Sequence, residues 1–192
     1  MAAVFNRTTK QYLISVNTPD YSPSEWLINP DITPVRGHDP RVWVINPDDT
    51  LRLMTDAEMD AEFLEGYKLT WSNKVNEHRE RVIGNGMWYM GYLFDTDNTA
   101  RDNIVATVSA INAGMVLPPD FVWRDGSNHN VPMTAQQVTT MGIMMLGYIN
   151  QIYAHSWTLK AQISACATRA EVRAIDVTLG WPSNNVDGSQ PT

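Results

Sequence analysis

Residues 121–182 read FVWRDGSNHNVPMTAQQVTTMGIMMLGYINQIYAHSWTLKAQISACATRAEVRAIDVTLGWP, and their order prescribes strand, polar turn, strand, capped helix, second capped helix and stop. Residues 121–124 and 130–133 carry aromatic and β-branched side chains on either side of Asp125-Gly126-Ser127-Asn128, so they are predicted to pair as a hairpin. Thr134 followed by Gln137 is a capping box, in which the threonine oxygen accepts the amide at Gln137 and the glutamine side chain reaches back. From there Val138, Met141, Met145, Tyr148, Ile152, His155 and Leu159 recur in steps of three and four, the seam of a helix that packs against other helices. Continuous over residues 135–166, that helix is roughly 48 Å long at ~1.5 Å per residue. Gly142 and Gly147 each cost it about 1 kcal/mol relative to Ala, a loss that close backbone approach or a kink would offset. Thr168 with Glu171 caps a last helix, predicted to turn Val172, Ile175 and Leu179 inward before Gly180-Trp181-Pro182 ends it.

Working back from this block, Pro118-Pro119 separates it from a helix capped by Asp97 or Thr99, with Ile104, Val105, Val108 and Ile111 predicted inward and Gly114 as a left-handed stop. Residues 86–96, aromatic with a central Gly91, read as a tight hairpin. Thr55-Asp56-Ala57-Glu58 is a further capping box. It opens a helix whose apolar positions Met59, Phe63, Tyr67, Trp71 and Val75 fall four apart and continue through Val82 and Ile83 to Gly84.

Residues 1–54 hold more than half of the prolines, with aromatic and β-branched residues between them, which favours strands and turns. Trp26-Leu27-Ile28-Asn29-Pro30-Asp31 is echoed by Trp43-Val44-Ile45-Asn46-Pro47-Asp48. Each copy reads as a short strand running into an Asn-Pro-Asp turn, and the second continues into a hairpin over residues 41–54. The fold class predicted is therefore α+β: a small β-rich N-terminal module over 1–54, a mainly helical domain with two β-hairpins over 55–182, and a polar tail over 183–192. The tail lacks the apolar content that would hold it in a core.

The C-terminal block resembles an uncharacterised domain family found toward the C-termini of tailed-bacteriophage tail and fibre-associated proteins. The resemblance lies in the Trp123 strand, the turn after it, the Val131-Pro132-Met133-Thr134 junction, the long helix with His155 and then Leu159-Lys160-x-x-Ile163, and the closing Trp181-Pro182. The opening is similar to a segment of phage structural proteins in which N-R-T-T (from Asn6), V-N-T-P-D-Y (from Val16) and W-x-I-N-P-D recur. The resemblance implies a structural virion component: an adaptor or attachment subunit of tail, tail fibre or baseplate, made in the host cytoplasm, partnered by other virion proteins, and not an enzyme. A fibre-assembly chaperone absent from the finished particle is the alternative.

A net charge of −7 and a pI near 4.9 leave no basic stripe for a phosphate backbone, so no nucleic-acid partner is expected. No run of about 18 apolar residues and no secretion-type leader appears, so no membrane partner is expected either. Cys166 stands alone in an apolar helical pattern and reads as a packed thiol from a reducing compartment.

The constellations that carry chemistry are incomplete. Asp95-Thr96-Asp97-Asn98-Thr99 begins like a calcium loop, but Ala100 and Ala106 stand where the glycine and the bidentate acid belong, so it reads as a polar turn leading into a helix cap. His38, His78, His129 and His155 never fall three or four apart on one helix, as a helical zinc site requires. No nucleophile elbow, phosphate-cradling loop or His-Glu-x-x-His pair occurs. The acid pairs Glu58/Glu62 and Asp56/Asp60 read as solvated helix surface. No catalytic, metal or cofactor residue is predicted. The candidate interface residues are Trp26, Trp43 and Trp88 on short strands, and Met141, Met145, Tyr148, Ile152 and His155 on the long-helix seam. That seam is either intramolecular core or the contact line of a homo-oligomer.

Overall fold

The computed structural model describes residues 2–190 and has the α+β architecture expected. Two compact units divide the chain, one up to Glu65 and the other from Gly66. The division therefore falls about three turns into the first helix, α1 (Asp56–Gly84), rather than ahead of it at residue 54. A local ion pair explains the shift: the Arg52 guanidinium grips the Glu58 carboxylate with two bonds of 2.6 and 2.7 Å, tying the first turn of α1 to the strand before it. Glu58 also accepts the Thr55 amide at 2.8 Å while Thr55 Oγ1 accepts the Glu58 amide, which completes the predicted capping box. Arg52, then the Thr55 amide, hold the Glu58 carboxyl down to a pKa of about 2.

In the first unit β1 (Ala3–Asn6) lies between β2 (Tyr12–Ile14) and β3 (Trp26–Ile28), antiparallel to both. A separate hairpin pairs β4 (Trp43–Ile45) with β5 (Leu51–Leu53). The echoed hexapeptides thus form the same local unit, a strand then a turn, and enter different sheets. Asn29 takes a left-handed backbone, and its side chain accepts the Ala3 amide at 3.0 Å, whereas Asn46 closes the β4–β5 turn onto Thr50. Phe5, Leu27, Val35, Trp43 and Leu51 make the core of this unit.

In the second unit α1 runs into the hairpin β6 (Met87–Tyr89) and β7 (Tyr92–Phe94). Met90 and Gly91, at φ 54° and 79°, form its two-residue turn, the geometry that matches strand twist. Next come α2 (Asn98–Asn112), capped by Asp97 and stopped at Gly114 (φ 95°), and the hairpin β8 (Val122–Arg124) with β9 (Asn130–Pro132). The long helix α3 (Ala135–Ala165) starts with both halves of the Thr134/Gln137 capping box in place. Thr168 caps the short α4 (Arg169–Ala174), whose Val172 is buried.

Two side chains face the other way from their predicted orientation. Val105 on α2 is exposed, because the helix turns Ile104 onto Gly142 of α3 and its neighbour lies about a quarter-turn away. Leu179 is exposed because α4 ends at Ala174, after which the Asp176 carboxylate accepts the Thr178 amide and hydroxyl and forms a turn instead of further helix.

The segment after Pro182 is tied to β6 and the turn that follows it. The Trp88 amide donates to the Asn184 carbonyl, the Met90 amide to the Asp187 carboxylate and the Gly91 amide to Ser189 Oγ, each at 2.8 Å. Trp88 and Asn185 form a parallel bridge, and Val186 packs on the core. A segment with little apolar area of its own is thus held by amide hydrogen bonds to its backbone and side chains, together with the packing of Val186.

Candidate interaction surfaces

The predicted interface residues of α3 lie inside the second unit. Met141, Met145, Tyr148 and Ile152 are buried with Val82, Ile83, Met87 and Phe94 from α1 and its hairpin, and with Ile104 from α2. The Tyr148 hydroxyl donates to the Val82 carbonyl at 3.4 Å, and burial pushes its pKa up. His155 is half-buried at the end of this seam, with Nε2 3.0 Å from the Leu179 carbonyl and its ring edge-on to Trp181 at 4.8 Å. His78 of α1 faces the same indole at 5.3 Å. Its Nδ1 is buried without a hydrogen-bond partner, and desolvation, followed by the charge of Arg81, lowers its pKa. The seam is therefore intramolecular core.

The three strand tryptophans divide. Trp43 is buried against Phe5 and Tyr12, with its indole N–H donating to the His38 carbonyl at 3.1 Å, so it too is core. Trp26 is half-buried and edge-on to Tyr21 at 4.9 Å. Trp88 is half-buried, and its backbone bonds the tail.

The exposed apolar side chains of α3 lie on its opposite side, and sequence reasoning missed them. Ile143, Leu146 and Trp157 are 67, 63 and 64% exposed, and Val105 of α2 is 64% exposed beside them. Asn150 is exposed between Leu146 and Trp157, and Tyr153 is half-buried under the Arg79 guanidinium, 4.8 Å from its ring. Gly142 brings α2 close: a Cβ there would meet Val108 at 3.1 Å and Ile104 at 3.3 Å. The close approach leaves a shallow apolar furrow of about 100 Å³ along Val105, Leu146 and Ile149. The signal for this face was in the sequence, since residues 135–159 contain no Asp, Glu, Lys or Arg. A helix exposed on one side yet uncharged all round does not match the usual amphipathic pattern of a solvated surface.

A second concavity, of about 540 Å³, lies between the first turns of α2 and strand β8, lined by Asp95, Asp97, Asn103, Phe121, Trp123 and Arg124 among others. Asp97 is committed to its helix cap, accepting the Ala100 amide at 2.8 Å. This is the polar turn leading into a helix that the calcium-loop comparison pointed to. Nearby, Asp125 accepts the amides of Ser127 and His129 and lies 3.0 Å from His129 Nδ1. Burial would raise its pKa, but these bonds outweigh burial and hold it below the usual carboxylate range. Among the described residues no three His, Cys, Asp or Glu side chains gather as a metal site, and no helix is long and apolar enough to cross a membrane.

The profile of one protein family, described as a domain of unknown function (DUF4376), matches residues 68–178, more than half of the chain. The match lies within the second unit, from α1 to just beyond α4. No curated protein and no solved structure matches.

Proposed function

We propose that this chain, which belongs to the DUF4376 family, is an assembly subunit that works by protein–protein contact, as a structural component of a tailed-phage virion in the tail, tail fibre or baseplate. The observation that carries the reading is the outer face of α3, where Ile143, Leu146 and Trp157 remain exposed on a helix stretch with no charged residue. Leaving that much apolar side-chain area in water is unfavourable, and coverage by protein removes the cost. The setting comes from the resemblance already described, and most of the residues that carry its C-terminal part, from Trp123 to Ile163, fall inside the matched family region. In this reading the protein is made in the host cytoplasm, joins the particle and breaks no bond in a substrate.

Mass spectrometry of purified particles tests the proposal. Recovery of the chain in a fixed ratio to a known tail protein supports it. Its absence from particles, with abundance in infected-cell lysate, overturns it in favour of an assembly chaperone.

A further inference from the structure

We infer that the outer seam of α3 pairs, parallel and in register, with the same seam of a second copy of this chain. The inference names a partner for the face on which the proposed function rests.

The seam has heptad order. Gln136, Ile143, Asn150 and Trp157 are seven apart and take the a positions of one repeat; three residues on, Thr139, Leu146, Tyr153 and Lys160 take the d positions, so its apolar part is the central stretch from Ile143 to Trp157. This repeat is distinct from the buried one, which includes Met141, Met145 and Tyr148. A β-branched residue at a followed by Leu at d, here Ile143 and Leu146, favours two strands. Asn150, flanked in the a row by apolar Ile143 and Trp157, points the same way, because a polar Asn at such a position fixes register and oligomer state in parallel pairs. In register, each Asn150 amide meets its counterpart; a slip by one heptad sets it against Ile143 or Trp157 and leaves its hydrogen bonds unmade.

Charge permits a second copy at this seam. A chain of net charge −7 repels itself over most orientations. Residues 135–159 themselves add no like charge to such a contact, and of the cations beside them Arg79, over the Tyr153 ring, is paired with the Glu80 carboxylate, while Arg101 lines the furrow next to Leu146. Area sets the strength. With the 25 residues of 135–159 about 38 Å long and about 11 Å across, covering some 40% of the circumference buries roughly 520 Å² per copy, or about 1,000 Å² in all. That lies just below the ~1,200–2,000 Å² of stable interfaces, so the dimer should be a reversible one that dissociates in roughly the micromolar range.

Sedimentation equilibrium of the full chain from about 1 to 100 µM is the test. The expected mass rises from 21.6 kDa to twice that value across the series. Leu146→Asp should lower the association constant at least tenfold, with a melting temperature unchanged at concentrations where the chain is monomeric, because that side chain is already exposed in the single chain. Direction is read separately with Gln136→Cys in a Cys166→Ser background: mild oxidation should link two chains, since an in-register parallel pair brings the two positions 136 together. A mass that stays at one chain throughout, assembly to three or more chains, or a dimer whose engineered cysteines do not cross-link each overturns the inference. Absence from purified particles would defeat the virion assignment and leave this result standing, so the two failures are distinguishable.

Discussion

Met145 and Leu146 are consecutive on α3, yet Met145 is 3% exposed in the core while Leu146 looks outward at 63%. Both belong to apolar stripes of three-and-four spacing, one closed by α1, α2 and the β6–β7 hairpin, the other open. Periodicity shows that a helix has a face to bury, but it does not say whether the covering element is in the same chain. Where a helix has two such faces and no charge to mark the wet one, burial alone decides which is core.

A charge separates the two faces most forcefully. Met145→Asp places an unpaired carboxylate among buried apolar groups and should cost more than about 4 kcal/mol, unfolding the second unit. Leu146→Asp should change single-chain stability by no more than about 0.5 kcal/mol. Urea titration followed by circular dichroism at low protein concentration reads both, and equal losses would mean that the two seams have been assigned to the wrong faces. Truncation gives a milder version: Ile152→Ala should cost about 2–5 kcal/mol as a cavity forms, and Ile143→Ala well under 1.

The helix glycines sharpen the contrast at a smaller scale. At Gly147 a Cβ meets nothing within 4 Å, so Gly147→Ala should raise stability by about 1 kcal/mol through helix propensity alone. Gly142→Ala presses on Val108 and Ile104, and that crowding should remove most of the gain. A calorimetric scan showing equal stabilisation by the two would contradict the close approach of α2.

The smallest effect concerns the end of the inner seam. His78 is held neutral beside Trp181, its pKa lowered first by desolvation and then by Arg81. Folded protein thus resists a proton that unfolded chain accepts near pH 6.5. Stability from this group is complete above that pH and declines as pH falls through 6.5 toward the lower folded value. Replacing His78 with Phe should flatten the step in a plot of melting temperature against pH between about 7 and 5, where histidine titrates.

Features determined over a few residues were legible from the sequence. The capping boxes at Thr55 and Thr134, the Thr168 cap, whose Glu171 partner accepts the Ala167 amide instead of that of Thr168, the Met90-Gly91 turn and the Gly114 stop each depend on side chains and backbone within about one turn of each other. Features determined at a distance were not. Trp43 has the same local sequence pattern as Trp26, and only the convergence of Phe5 and Tyr12 makes it core. Gly142 and Gly147 look alike in one dimension, since the helix that needs the space at Gly142 lies more than thirty residues upstream. Size and aromaticity do not mark the open face, which is distinguished by what it lacks, a charge.

The bonds from Met90 to Asp187 and from Gly91 to Ser189 join positions 97 and 98 residues apart. While the polypeptide is still emerging from a ribosome, the edge that this strap covers is already made but its cover is not. At about 5–20 residues per second, that interval lasts roughly 5–20 s. Over it, an unpaired strand is available to neighbouring nascent chains, and crowded polysomes are where misassembly of this protein should begin.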